Sequence, residues 1–133
     1  MLLPRDGYLL RIFIGERDKH GHLPLYQWII QQAREQRLAG ATAFRGIEGF
    51  GAHSHLHTTK ILRLTDDLPI LIEIVDTKDK IESFLPIIDE AIPDGLATLE
   101  KVEIRLYRSG PPPADPMAFG YVRMKPSPFF STR

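Results

Sequence analysis

The chain has 133 residues, 43% of them hydrophobic and 26% charged, with 17 Lys and Arg against 17 Asp and Glu and no cysteine. This length and apolar content suit one domain with a real core, and the balanced charge leaves no overall field to draw nucleic acid or an anionic membrane. The lack of cysteine excludes disulfides, thiolate metal sites and thiol nucleophiles, while no apolar run approaches the roughly 20 residues of a membrane span and no signal-peptide pattern opens the chain, so the simplest reading is a cytoplasmic protein.

Residues 8–15 alternate Leu10, Ile12 and Ile14 with Leu9, Arg11 and Phe13, which predicts a first strand with one well-buried face. A charged loop over 16–22 leads to Pro24, which suits the first turn of a helix beginning near Leu23. Tyr26, Ile29, Ile30 and Ala33 form its apolar stripe, and Gly40 is placed to end it in a left-handed conformation. Residues 41–48 read as a second strand that runs out into a glycine-rich and histidine-rich loop. Pro69 then opens the apolar run Ile70-Leu71-Ile72-Glu73-Ile74-Val75, a central third strand ending at Asp76.

Asp76 or Thr77 caps a second helix in which Ile81, Phe84, Leu85, Ile88 and Ile92 keep helical spacing. Pro86 inside it predicts a bend near residues 82–86, and Pro93-Asp94-Gly95 predicts the stop. A fourth strand is expected over 98–108, with Val102, Ile104 and Leu106 facing the core. The order strand, helix, strand, strand, helix, strand is that of an α+β ferredoxin-like fold, an antiparallel sheet with both helices on one face. The other face is then expected to carry Leu9, Arg11, Phe13, Glu73, Lys101, Glu103, Arg105 and Tyr107. That mixture is too apolar for free solvent and too charged for a core, so subunit association over it is expected. Residues 1–109 are read as the domain and 110–133 as a proline-rich tail with Phe119, Tyr121, Phe129 and Phe130 as apolar anchors.

Gly46-Ile-Glu-Gly-Phe-Gly51 has the glycine spacing of a phosphate loop, but Ala52 and His53 stand where lysine and serine or threonine are required. Its backbone amides can still form an anion nest, with Lys60, Arg63 or Lys101 to neutralise phosphate; the same glycines equally serve a loop that needs them only for its turns. His53, His55 and His57 alternate, so an extended segment would project them to one side as transition-metal ligands. Same-side positions about 7 Å apart are too wide for one tetrahedral ion unless the chain bends or a second subunit contributes, and a solvated histidine loop is the simpler reading. Ser54 makes no nucleophile pair with its neighbours, and no second group is placed to work with Glu48 or Glu100. These residues give no support to an enzyme.

The motifs Pro24-Leu25-Tyr26, Leu38-Ala39-Gly40-Ala41-Thr42, Arg45-Gly46-Ile47-Glu48-Gly49-Phe50-Gly51, His57-Thr58, Ile61-Leu62-Arg63-Leu64, Asp67-Leu68-Pro69, Ile72-Glu73-Ile74-Val75-Asp76 and Leu99-Glu100-Lys101-Val102 follow one another in an order that resembles the PII-like proteins of the domain of unknown function 190 family. The resemblance covers roughly residues 8–108. It implies a homotrimer with the sheets turned inward and an adenine nucleotide as effector in clefts between subunits, with no obligatory cofactor. It also implies a mobile loop over 50–64 that engages a protein partner, for which a membrane channel or transporter is one candidate.

By similarity, Gly49, Phe50 and Gly51 match the Gly-Phe-Gly that meets phosphates in PII proteins. Thr42 or Ala43 falls near the threonine that reads adenine, and Lys101 resembles the phosphate-binding lysine at the start of the PII fourth strand. The chain departs from PII at Ile70, which replaces a basic residue, and at Asp94 and Gly95, all that is left of a glycine-rich phosphate loop. Fewer phosphate ligands imply a mono- or diphosphate, or another adenylate, ahead of a triphosphate. No tyrosine lies within 52–64 for nucleotide modification. The alternative function is a transition-metal-binding trimer using the loop histidines.

Overall fold

The computed structural model of the protein describes residues 3–51 and 67–109. The expected mobile loop beyond Gly51 and the proline-rich tail lie outside the described residues. In chain order the elements are β1 (Asp6–Gly15), β2 (Lys19–His20), β3 (Leu23–Pro24), α1 (Leu25–Glu35), β4 (Ala41–Arg45), β5 (Pro69–Asp76), α2 (Lys78–Asp89) and β6 (Leu96–Glu103). The four long strands form one antiparallel sheet in the order β4-β5-β1-β6; β2, in the expected loop, pairs with β3 in a small hairpin that takes up Leu23 and Pro24, so the first helix begins at Leu25 and not near Leu23. Apart from that hairpin, this is the ferredoxin-like arrangement expected from the hydrophobic periods.

Alternation in β1 and β5 builds the core. Leu10, Ile12 and Ile14 stand opposite Ile74, Ile72 and Ile70, and directly paired residues share a face, so six branched side chains form one apolar surface. Leu25, Ile29 and Ala33 of α1 and Ile81, Phe84 and Ile88 of α2 close over it. Each of these larger side chains contributes about 1.5–3 kcal/mol by leaving water.

The helix ends follow local chemistry. Thr77 caps α2 by accepting from the Lys80 N–H at 3.4 Å. The helix runs on through Pro86 to Asp89, and Glu82, whose carbonyl the proline leaves without its helical donor, is exposed. At the end of α1 the left-handed residue is Arg37, at φ 60°, not Gly40. The Leu38 N–H donates to the Ala33 carbonyl and the Arg37 N–H to that of Arg34, both at 3.0 Å, which is the Schellman pattern with its apolar contact between Leu38 and Ala33. Asp76, 1% exposed, accepts from the Ala39 N–H at 2.8 Å and the Thr77 N–H at 2.6 Å, binding the α1–β4 connection to the end of β5.

The fourth strand departs from expectation. It starts at Leu96, and its register places Leu99 opposite Leu10 and Ala97 opposite Ile12 on the helix face. Glu100 and Val102 stand opposite Leu9 and Gly7 on the other face, so the assignment expected for Lys101 and Val102 is inverted. Beyond Glu103 the strand ends and the chain turns across the end of the open face. There Ile104 covers Gly7, at which even a methyl carbon would lie 2.5 Å from the Ile104 Cδ1, and the Tyr107 hydroxyl donates to the Ala39 carbonyl at 2.6 Å beside β4. Ile104 is therefore buried, as expected, but by crossing the sheet; Leu106 stays exposed.

Candidate functional site

On the open face the register sets side chains in rows. Phe44, Leu71, Phe13 and Leu96 form an apolar row across all four strands, and Thr42, Glu73, Arg11 and Thr98 form a polar one beside it. Arg11 Nε donates to Glu73 at 3.0 Å, and its Nη1 lies 3.9 Å from Glu100. Phe44 is 47% exposed and Leu96 57%. Near the crossing segment this face hollows into a cavity of about 670 Å³, lined by Thr42, Glu73, Val75 and the residues from Val102 to Tyr107.

A second cavity, of about 360 Å³, lies at the opposite end of the sheet. Gly49, Phe50 and Gly51 form one wall, and Asp94, Gly95 and Leu96, more than 40 residues further along, form another, with Phe13 and Pro69 between them. Gly95 permits the approach: a methyl carbon on it would stand 2.7 Å from the Phe13 carbonyl oxygen, which belongs to the strand backbone and has no room to yield. Phe50 is 74% exposed, so its ring is available to a ligand.

Asp18 and Asp67 also line this cavity, fixed by the Gly15 N–H on Asp18 at 2.8 Å and the Arg17 N–H on Asp67 at 3.0 Å. With Asp94 they make three carboxylates, and among the described residues no lysine or arginine lines the cavity. Arg45, the nearest arginine along β4, is paired with Glu16.

The expected site residues therefore divide. Gly49, Phe50 and Gly51 share the second cavity, whereas Thr42 lies on the open face of β4 and lines the first. Ala43 is on the helix face of the same edge strand, opposite Ile72, and is exposed. Lys101 is on the far edge, opposite Tyr8, in the second half of β6; the residue that starts the fourth strand, directly after Asp94 and Gly95, is Leu96. The strand-start position expected for Lys101 is corrected accordingly, because β6 begins earlier than the alternation of residues 98–108 suggested. Lys60, Arg63, His53, His55 and His57 lie outside the described residues. Sequence reasoning passed over Asp18, Asp67, Phe13 and Leu96 as cavity residues, although Leu96 directly follows the Asp94 and Gly95 it singled out. Trp28 is a packing residue, partly buried against the core, with the His20 ring stacked on it at 4.0 Å.

Among the described residues Glu103 has a displaced carboxyl: the Arg105 hydrogen bond and the Arg5 charge hold it below the ordinary carboxylate range. No helix among the described residues is long and apolar enough to cross a membrane.

Residues 7–104 match the model of DUF190, described as "Uncharacterized ACR, COG1993". A UPF0166 protein of Aquifex aeolicus is 40% identical over 96 residues, covering 72% of this chain and 90% of its own length. The UPF0166 protein MJ1524 of Methanocaldococcus jannaschii is 33% identical over 84 residues, 63% of this chain and 77% of its own. Among solved structures, CPII of Thiomonas intermedia bound to ADP and bicarbonate superposes with a TM-score of 0.50 at 16% identity, over 74% of this chain and 88% of that one. A PII-like signalling protein of Thermus thermophilus gives 0.52 at 11% identity, over 77% and 93%. The family match over most of the described residues establishes that the chain belongs to the DUF190 family, and the solved structures show that it shares their ferredoxin-like fold.

Proposed function

We propose that this chain is a cytoplasmic, non-catalytic regulatory protein of the PII-like kind. It binds an adenine nucleotide in clefts between the subunits of a homotrimer and signals to a protein partner through the 50–64 loop. The observation that carries the reading is the meeting of Gly49, Phe50 and Gly51 with Asp94 and Gly95 around one cavity. Two stretches distant in sequence converge there, one matching the phosphate-contacting Gly-Phe-Gly by similarity and the other standing where PII proteins carry a glycine-rich phosphate loop. The structural neighbour CPII, bound in separate structures to ADP with bicarbonate and to ADP, AMP and acetate, supports the class of ligand.

Association over the open face is supported by its apolar row from Phe44 to Leu96, which a single chain leaves partly exposed. It also supplies what one chain lacks. Thr42, Lys101 and the Gly-Phe-Gly cavity lie at separate edges and ends of the sheet, and only a second subunit brings groups of the one kind to the other.

By similarity the chain carries fewer phosphate ligands than PII proteins, with Ile70 in place of a basic residue and Asp94 and Gly95 in place of a glycine-rich loop, so AMP or ADP binds at least about tenfold more tightly than ATP, a difference of about 1.4 kcal/mol. Isothermal titration with AMP, ADP and ATP, on protein whose mass is measured by light scattering, tests this. Saturable heat with AMP or ADP on a trimer is the expected result; no heat from any of the three at high protein concentration overturns it.

A further inference from the structure

Three stretches of chain meet at the end of the sheet beside the Gly-Phe-Gly cavity: residues 15–18 after β1, 67–69 at the start of β5, and 46–51 after β4. The first is held in shape by the Gly15 N–H on the Asp18 carboxylate at 2.8 Å and by the Leu25 N–H on the Asp18 carbonyl at 2.7 Å. It is tied to the second by the Glu16 N–H, which donates to the Leu68 carbonyl at 2.8 Å, and by the Arg17 N–H, which donates to the Asp67 carboxylate at 3.0 Å. The second is tied to the third by the Gly46 N–H on the Pro69 carbonyl at 2.7 Å. Proline has no N–H to return that bond, and close packing stands in its place. A methyl carbon on Gly46 would lie 2.7 Å from the Pro69 Cγ, and one on Gly49 would lie 3.3 Å from the same atom. The Pro69 ring is therefore the bed on which the chain rests just before Phe50 and Gly51.

Asp67 supplies the side-chain link in this series, and Gly15 is its seat. The three atoms nearest to a methyl carbon on Gly15 all belong to the Asp67 carboxyl group: Oδ1 at 2.9 Å, Oδ2 at 3.0 Å and Cγ at 3.3 Å. The missing side chain at 15 lets the carboxylate lie against the strand backbone, and the Arg17 N–H fixes it there. Asp67 is exposed, so its bond adds little to the stability of the whole fold. What the bond sets is position. With Asp67 seated, Leu68 is aligned to receive Glu16, Pro69 follows, and the ring of Pro69 places Gly46 and Gly49. The motif Asp67-Leu68-Pro69 reads physically as anchor, backbone acceptor and packing surface for the glycine wall.

We propose that Asp67, seated on Gly15, is a positioning residue that holds the Gly-Phe-Gly wall in place for a ligand; the ligand part rests on the nucleotide reading of that cavity. Full-length Asp67→Ala and Gly15→Ala variants test it, the second because the atoms in the way of its methyl are a side-chain end, so the carboxylate moves and the strand does not. In both variants the Glu16 and Gly46 amides exchange at least about threefold faster while that of Ile12 is unchanged. Affinity for AMP in isothermal titration falls by at least about threefold, with the melting temperature nearly constant. Asp67→Asn keeps an acceptor for the Arg17 N–H and recovers most of both losses. Adding Gly15→Ala to Asp67→Ala costs nothing further, because the methyl then meets no carboxylate. Unchanged exchange at Gly46 overturns the proposal, as does an Asp67→Asn variant that behaves like Asp67→Ala, which would make charge and not position the cause. Additive effects of the two substitutions overturn it too. If AMP gives no heat even with the unaltered protein, the nucleotide reading falls, and exchange at Gly46 still decides whether Asp67 holds the wall.

Discussion

The two faces of the sheet are built from the same strands and behave oppositely. On the helix face the three central pairs of β1 and β5, Leu10 with Ile74, Ile12 with Ile72 and Ile14 with Ile70, are branched aliphatics exposed to 5% or less, and two helices seal them. On the open face the intervening residues of the same strands are Leu9, Arg11, Phe13, Leu71, Glu73 and Val75, each only partly buried. One face makes the fold. The other mixes an apolar row with an arginine held between two glutamates, and it is the surface that the proposed assembly would cover.

The largest break in this comparison is on the helix face. Ile12→Ala empties a site with no exposure beneath both helices and lowers stability by about 2–5 kcal/mol in urea unfolding. The effect should not depend on protein concentration beyond what association contributes. A loss under about 1 kcal/mol would mean that the core collapses around the cavity and is looser than its burial implies. Asp76→Ala comes next. It leaves the Ala39 and Thr77 N–H groups without their acceptor in a buried place and costs about 2–3 kcal/mol by the same measurement.

Phe13→Asp acts on the open face instead. It places a charge in the middle of the apolar row, between Leu71 and Leu96, and shifts the mass measured by light scattering from assembly toward single chain. The helix-face amides should keep their exchange protection in the dissociated protein. An unchanged mass would remove the open face as the association surface. Equal losses of assembly and of core protection would show that the two faces are energetically one unit, as in obligate oligomers.

The helix face was the more legible of the two in the sequence. Alternation through Leu10, Ile12 and Ile14 and through Ile70, Ile72 and Ile74 stated both strands and their inward sides, and the pair Asp76-Thr77 stated where α2 begins, with Thr77 proving to be the cap. Legibility failed where a partner strand decides. Val102, Ile104 and Leu106 alternate as a core face would, yet pairing with β1 sets Leu99 and Ala97 on the helix side, and Ile104 reaches its burial by leaving the strand to cover Gly7. Periodicity reports that alternate residues differ; it does not report which side of an edge strand is covered. The end of α1 shows a second limit, because the Schellman hydrogen bonds place the left-handed residue at Arg37 despite the glycine three positions on. The candidate site was legible as motifs, Gly49-Phe50-Gly51 and Asp94-Gly95, but the aspartates that share their cavity come from turns, whose proximity only the folded chain sets.

The smallest expected effect sharpens the comparison most, because it lies where one face passes into the other. Glu103 ends β6 and accepts from Arg5 Nε at 3.2 Å and Arg105 Nη1 at 2.9 Å, just where the chain turns to cross the open face. Its carboxyl is held below 4.5, so the ion triad stabilises the fold above that value and the contribution is lost as pH falls through the lower folded value. Glu103→Gln should therefore lower the melting temperature slightly at neutral pH, with the difference from the unaltered protein vanishing in strong acid. Parallel melting curves for the two proteins at every pH would show that the triad contributes nothing. All three side chains are about half exposed, and solvent screening keeps the effect small in a single chain. If the proposed assembly covers the open face, it would exclude water from the crossing segment and strengthen the same ion pairs, and the pH-dependent difference should then be larger in the unaltered protein than in the Phe13→Asp background. Equal differences in the two backgrounds would place the triad outside the association surface and confine that surface to the rows from Phe44 to Leu96 and from Thr42 to Thr98.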